Sequence, residues 1–194
     1  MKESIRYRAS KLNLREDVES QEKVIEGYFV VFNDVTELWP GCFEQIDSKA
    51  ISEEEIKKDI RALFDHDTAK VLGRTANGTL ELKIDTKGVY GKIIINDKDQ
   101  EAVNLYERVK RGDINQCSFG FYIEEELAED RDDGSVLFTI KKLSLVEVSV
   151  VTFPAYANTS VEARKNDYSN FKKRELKIWK EKMEEKLNGI KGIA

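Results

Sequence analysis

Three X-Gly dipeptides punctuate this chain, and each stands between runs that alternate apolar and polar residues. Asn77-Gly78 separates residues 71–75 from 79–84, Lys87-Gly88 separates 80–84 from 89–95, and Asp133-Gly134 separates the stretch around Ser118 from one starting near Val136. Such dipeptides accept the positive φ that tight hairpins need, while alternation buries every second side chain. Residues 5–8, 12–14 and 24–32 read as further strands, the last containing the apolar run 28–32. Successive hairpins predict an antiparallel sheet, curled into a barrel or packed as a sandwich.

Two helices interrupt the strands. Ser52-Glu53-Glu54-Glu55 has the form of a capping box, with Ile51 and Ile56 spaced as a hydrophobic staple, and predicts a short helix to about Ile60. A longer helix begins near Asp97. Its apolar face is Ala102, Leu105, Tyr106 and Val109, and Gly112 supplies its left-handed end. The two prolines, Pro40 and Pro154, fall at loop positions. From about Arg164 the character changes: Leu176, Trp179, Met183 and Leu187 form a helical stripe among lysines and glutamates. The chain therefore reads as a mainly β domain with surrounding helices (α+β) over residues 1–163, followed by a charged amphipathic helical tail over 164–194.

Charge narrows the function classes. The net charge is −5, but residues 164–187 carry nine Lys/Arg against five Asp/Glu, a local +4 that leaves −9 on the rest. An acidic body argues against nucleic-acid binding, and a basic tail suits an acidic partner. No run of 18 apolar residues predicts a membrane span, and the first six residues contain no apolar core of a secretory signal. Two cysteines, Cys42 and Cys117, do not make a disulfide framework, so a reducing cytoplasm is the expected compartment.

His66 is the only histidine, in Ala62-Leu63-Phe64-Asp65-His66-Asp67. Histidine is the side chain whose proton moves most readily near neutral pH. Local sequence alone favours a surface histidine between two aspartates. One histidine and two separated cysteines do not make a zinc cluster, so neither a metal nor a cofactor is expected. In Gln116-Cys117-Ser118-Phe119-Gly120-Phe121-Tyr122-Ile123, alternation puts Cys117, Phe119, Phe121 and Ile123 on one strongly apolar face. Ser118 then points away from the core, beside Gly120, whose missing side chain leaves room for another backbone to approach. An ordinary strand serine is the commoner local case. Cys117 is the rival nucleophile, but alternation buries it, and a thiol in apolar surroundings is inert. Glu147 lies in the apolar strand 143–151, where a carboxylate is costly unless paired. Its partner is either a lysine or arginine on an adjacent strand, or His66. If Asp65 and Asp67 continue a strand, their side chains leave on the face opposite His66.

Taken together, the segments Leu63-Phe64-Asp65-His66-Asp67, Val71-Leu72-Gly73-Arg74, Ser118-Phe119-Gly120-Phe121 and Leu145-Val146-Glu147-Val148-Ser149-Val150-Val151-Thr152-Phe153-Pro154-Ala155 resemble the prohead serine proteases of tailed phages. Glu26-Gly27-Tyr28-Phe29 and Pro40-Gly41-Cys42-Phe43 fit as well, so the resemblance runs over roughly residues 4–163. It implies kinship to the herpesvirus capsid-maturation proteases, and with it a curled antiparallel β-barrel ringed by helices. It also implies a site in chain order His, Ser, third member: His66, Ser118 and, since no second histidine exists, Glu147.

The implied activity is serine endopeptidase cleavage of the major capsid protein or its scaffolding segment, and of the enzyme itself, inside the immature capsid in the bacterial host cytoplasm. A homodimer is implied by analogy with the herpesvirus enzymes. Backbone donors for the oxyanion are expected in residues 154–158, at Ala155 and Tyr156. Two other readings stay open: a cysteine protease using Cys117, and a non-catalytic scaffold that uses the charged tail as an assembly handle.

Overall fold

A computed structural model describes residues 5–11, 22–153 and 158–191. The strands are β1 (Arg6–Lys11), β2 (Val24–Val31), β3 (Thr36–Trp39), β4 (Cys42–Ile46), β5 (Arg61–Phe64), β6 (Asp67–Arg74), β7 (Leu80–Ile84), β8 (Gly88–Ile94), β9 (Gln116–Asp130) and β10 (Val136–Val151). The helices are α1 (Glu53–Ile56), α2 (Gln100–Arg111) and α3 (Asn158–Lys191). The protein is thus mainly β with added helices, an α+β fold. The strand expected at residues 12–14 and the loop position of Pro154 lie outside the described residues.

β10 organises the larger sheet. On one side it pairs antiparallel with β9 through the Asp133-Gly134 turn, where Gly134 takes φ +79°. On the other side it meets two partners in succession, β4 along Val136–Ile140 and β5 along Glu147–Val150, and both run parallel to it. The expectation of a purely antiparallel sheet is therefore corrected to a mixed one. Hairpins between neighbours in sequence say nothing about long-range pairs, and the parallel pairs here join segments about ninety residues apart.

On that side, between β4 and β5, the middle of β10 has no strand neighbour among the described residues, and the segment leading into α1 together with Glu55 satisfies its backbone. Leu143 N–H donates to the Ala50 carbonyl at 3.1 Å, and Leu145 N–H donates to Glu55 Oε1 at 2.8 Å. Ser52 caps α1 by accepting from Glu55 N–H at 3.3 Å. The Glu55 carboxylate, nearly buried, turns to β10, where Ser144 Oγ also donates to it at 3.1 Å. α1 ends at Ile56, short of Ile60, and the staple residues Ile51 and Ile56 are both in the core.

A smaller sheet, β2-β8-β7, packs over the first. The Lys87-Gly88 turn does join β7 to β8, in the register Ile84↔Val89. Asn77-Gly78 does not make a hairpin. β6 pairs with β5 and β7 with β8, so this segment is a corner between the sheets, a 3-10 turn (Thr75–Asn77) closed by Gly78 at φ +68°. A two-residue type I′ hairpin needs positive φ at both residues; here only the glycine has it.

One core lies between the sheets, formed by Ile25, Phe29, Leu80 and Ile93 from the smaller and Phe119, Phe121, Val148 and Val150 from the larger. α2 is capped by Asp99 and Gly112 and adds Ala102, Leu105 and Val109. Among the described residues the strand pairing does not close into a barrel.

α3 crosses the position 163/164, and its beginning is anchored to the body. Arg164 is fully buried, with one guanidinium nitrogen 2.5 Å from Glu44 Oε2, the other 2.5 Å from Glu126 Oε2, and the group lying over the Phe138 ring. Burial opposes its charge, but Glu44 and Glu126 more than offset this and raise its pKa. Tyr168 and Phe171 pack on a second small cluster of Cys42, Val136 and Phe138. Beyond Lys172, which pairs with Asp130, the described side chains are exposed, including Leu176, Trp179 and Met183 of the expected stripe.

Removing one partner from a buried ion pair leaves the other charge uncompensated. Arg164→Ala is therefore expected to lose roughly 3–5 kcal/mol of stability, whereas Trp179→Ala, on an exposed surface, should change it by about 0.5 kcal/mol or less. Denaturant unfolding of the two variants checks this contrast.

Candidate active site

His66 sits in the turn that follows β5. The β5–β6 register pairs Phe64 with Asp67, which leaves Asp65 and His66 as a two-residue loop with φ of +51° and +60°. This is the type I′ pattern, built without glycine from two residue types that tolerate the left-handed region better than most. Asp65 ties the turn to the end of β10. Its N–H donates to the Val150 carbonyl at 2.9 Å, and its carboxylate accepts from Thr152 N–H at 2.7 Å and Thr152 Oγ1 at 2.9 Å. The Asp67 carboxylate accepts from Ala69 N–H at 2.9 Å. The carboxylate of Asp65 is thus engaged by Thr152, and that of Asp67 by Ala69 and Lys70.

The carboxylate facing the imidazole belongs to Glu147, whose Oε1 lies 2.8 Å from His66 Nδ1. Glu147 is only 6% exposed. Its partners among the described residues are an imidazole and a hydroxyl, not a lysine or arginine: Oε2 accepts from Ser149 Oγ at 2.5 Å. Directly across the β9–β10 pairing stands Gly120. A Cβ there would fall 2.7 Å from Glu147 Oε1 and 3.1 Å from Tyr7 Cε1. The space expected to admit another backbone is therefore taken up by the Glu147 carboxylate and the Tyr7 ring.

On β9 the alternation holds. Cys117, Phe119 and Phe121 enter the core and Ile123 packs at its margin, while Ser118 and Gly120 share the other face. Ser118 pairs with Ser149 on β10 and with Ala9 on β1, and it is fully buried. Ser118 Oγ and His66 Nε2 are both buried, and neither has a hydrogen-bond partner among the described residues. Cys117, on the opposite face, donates its thiol to the Tyr28 carbonyl at 3.2 Å. The Cys42 thiol is pushed up to about 12, first by burial, and Cys117 lies on the core face of β9, away from the imidazole.

Two neighbours of the imidazole and its carboxylate are not marked by any local motif. Tyr7 on β1 lies against the imidazole, ring centroids 4.3 Å apart. Burial and then the Glu147 carboxylate raise the pKa of its phenol, which keeps it protonated. Only the β1–β9 register, Tyr7↔Gly120, brings it there. Ser149 was legible in principle, since two residues along a strand from Glu147 it shares that face. Ala155 and Tyr156, the expected oxyanion donors, lie outside the described residues. Among the described residues no group of three or more His, Cys, Asp and Glu side chains is arranged to hold a metal.

An imidazole that gives its Nδ1–H to a carboxylate keeps a lone pair on Nε2, as a general base requires. Residues 10–174 match a family model described as the caudovirus prohead serine protease, a span containing His66, Ser118 and Glu147 and extending into α3. Among solved structures, the chain is similar to the capsid assembly protease of bacteriophage T4, gp21, with a TM-score of 0.53 at 11% identity, covering 79% of this chain and 100% of that one. At that identity the likeness concerns the fold. No curated protein sequence matches. The chain belongs to the caudovirus prohead serine protease family.

Proposed function

We propose that this protein is a serine endopeptidase that cleaves capsid or scaffolding protein, and itself, during maturation of a tailed-phage prohead. Ser118 is the nucleophile, His66 the base and Glu147 the third member. The observation that carries this reading is a pair of unmet needs: Ser118 Oγ and His66 Nε2 are buried without partners among the described residues, on a face where Glu147 already holds Nδ1. An unsatisfied buried polar group costs about 1–3 kcal/mol. A hydrogen bond between the two atoms in the working enzyme would satisfy both.

In the reaction, Nε2 removes the hydroxyl proton as Oγ attacks the peptide carbonyl. The imidazolium, stabilised by Glu147, returns that proton to the leaving amine, and an acyl-enzyme remains. Water activated by the same histidine releases it. Oxyanion donors belong to residues 154–158 in this scheme. The substrate is the capsid protein of the same phage, the enzyme works inside the immature shell within the host, and it acts as a homodimer. No helix of the described residues is long and apolar enough to cross a membrane.

Ser118→Ala should abolish processing without changing thermal stability by more than about 1 kcal/mol. Mass spectrometry of the chain co-expressed with its neighbouring capsid protein reads this. Continued trimming of either protein by the variant would end the assignment. Gly120→Ala drives a methyl into Glu147 and Tyr7, and a misplacement of about 1 Å in such a site costs on the order of 10²-fold in rate. That variant should remain folded by circular dichroism and process capsid protein about a hundredfold more slowly.

A further inference from the structure

We propose that Ser149 is a positioning residue that sets which nitrogen of His66 carries the proton, acting through Glu147; this rests on the reading of His66 and Glu147 given above. Ser149 is fully buried and its hydroxyl lies 2.5 Å from Glu147 Oε2, while Glu147 Oε1 faces His66 Nδ1. The terminal torsion of a glutamate is broad, so one contact at Oε1 does not orient the carboxylate plane. A second contact at Oε2 does.

The direction of these bonds follows from chemistry. An ionised carboxylate only accepts, so Ser149 must donate to Oε2 and the imidazole must donate Nδ1–H to Oε1. The lone pair is then confined to Nε2. Hydrogen bonds to an ionised group are also stronger than neutral ones, which suits a group that must hold one geometry. Strand pairing sets Ser149 directly across from Ser118, so the clamp and the nucleophile stand side by side on adjacent strands. Ser149 is not itself the better nucleophile, because its proton is committed to Glu147 rather than to the imidazole.

Because the chain has one histidine, its imidazole can be observed without interference. Long-range proton–nitrogen NMR of the full chain labelled with 15N-histidine, with the ring neutral, should show one tautomer, protonated at Nδ1. Ser149→Ala should give a mixture of tautomers, and its rate of labelling by a fluorophosphonate probe should fall about ten- to a hundredfold. On a Glu147→Gln background the same substitution should cause no further loss, since the path through the carboxylate is already broken.

A Ser149→Ala spectrum identical to wild type, or losses that multiply in the double variant, would overturn the role of Ser149, and so would a probe adduct mapped to Ser149. Ser118→Ala separates the two levels of the argument. If that variant is still labelled at its wild-type rate, the underlying assignment of the nucleophile has failed. If it is silent while Ser149→Ala behaves as wild type, only the positioning role has failed.

Discussion

The register of β9 against β10 is the constraint on which the rest of the molecule depends. It sets Ser118 opposite Ser149 and Gly120 opposite Glu147, and it sends Cys117, Phe119 and Phe121 into the core with Val148 and Val150. Because side chains alternate, a slip of one residue would exchange these two sets. Aromatic rings would then meet the imidazole, and a serine and a carboxylate would enter the apolar core. The large cost of burying unpaired polar groups makes that alternative inaccessible. The same burial that stabilises the fold therefore fixes the polar face.

Around this pair the chain supplies supports of different reach. The left-handed turn at Asp65-His66 delivers the imidazole to the end of β10, and Asp65 fastens that turn to Thr152. β1 lies on the far edge of β9 and sets Tyr7 against the imidazole. The residue before it, Arg6, reaches Asp167 of α3 at 2.7 Å. α3 is in turn fastened by the buried Arg164 between Glu44 and Glu126. One turn of α3, its ion pairs and β1 thus form a continuous set of contacts from the helix to the imidazole.

Glu55 illustrates how a local motif is redirected by long-range need. Its position three residues after Ser52 is that of a capping glutamate, and Ser52 does cap the helix. Yet the carboxylate turns to the backbone of β10, where the change from one parallel neighbour to the next leaves an amide without a strand partner. A buried amide without an acceptor costs more than an exposed helix start whose donors reach water.

Much of this protein is local physics and could be read directly from the chain. The face of β9 that buries Cys117 and presents Ser118, the apolar stripe and the Gly112 end of α2, and the turns at Lys87-Gly88 and Asp133-Gly134 follow from periodicity and from glycine's freedom at positive φ. The oddness of a carboxylate at Glu147 was visible too, because burial demands a partner. What the sequence by itself could not decide was which distant segments meet. Asn77-Gly78 has hairpin chemistry but turns a corner, because β6 and β7 find better partners in different sheets. The parallel neighbours of β10, the approach of Tyr7 and the filling of the Gly120 gap depend on contacts between segments far apart in the chain. Their energies come from burial shared among many residues, which no local window contains, and only the assembled tertiary structure selects among them.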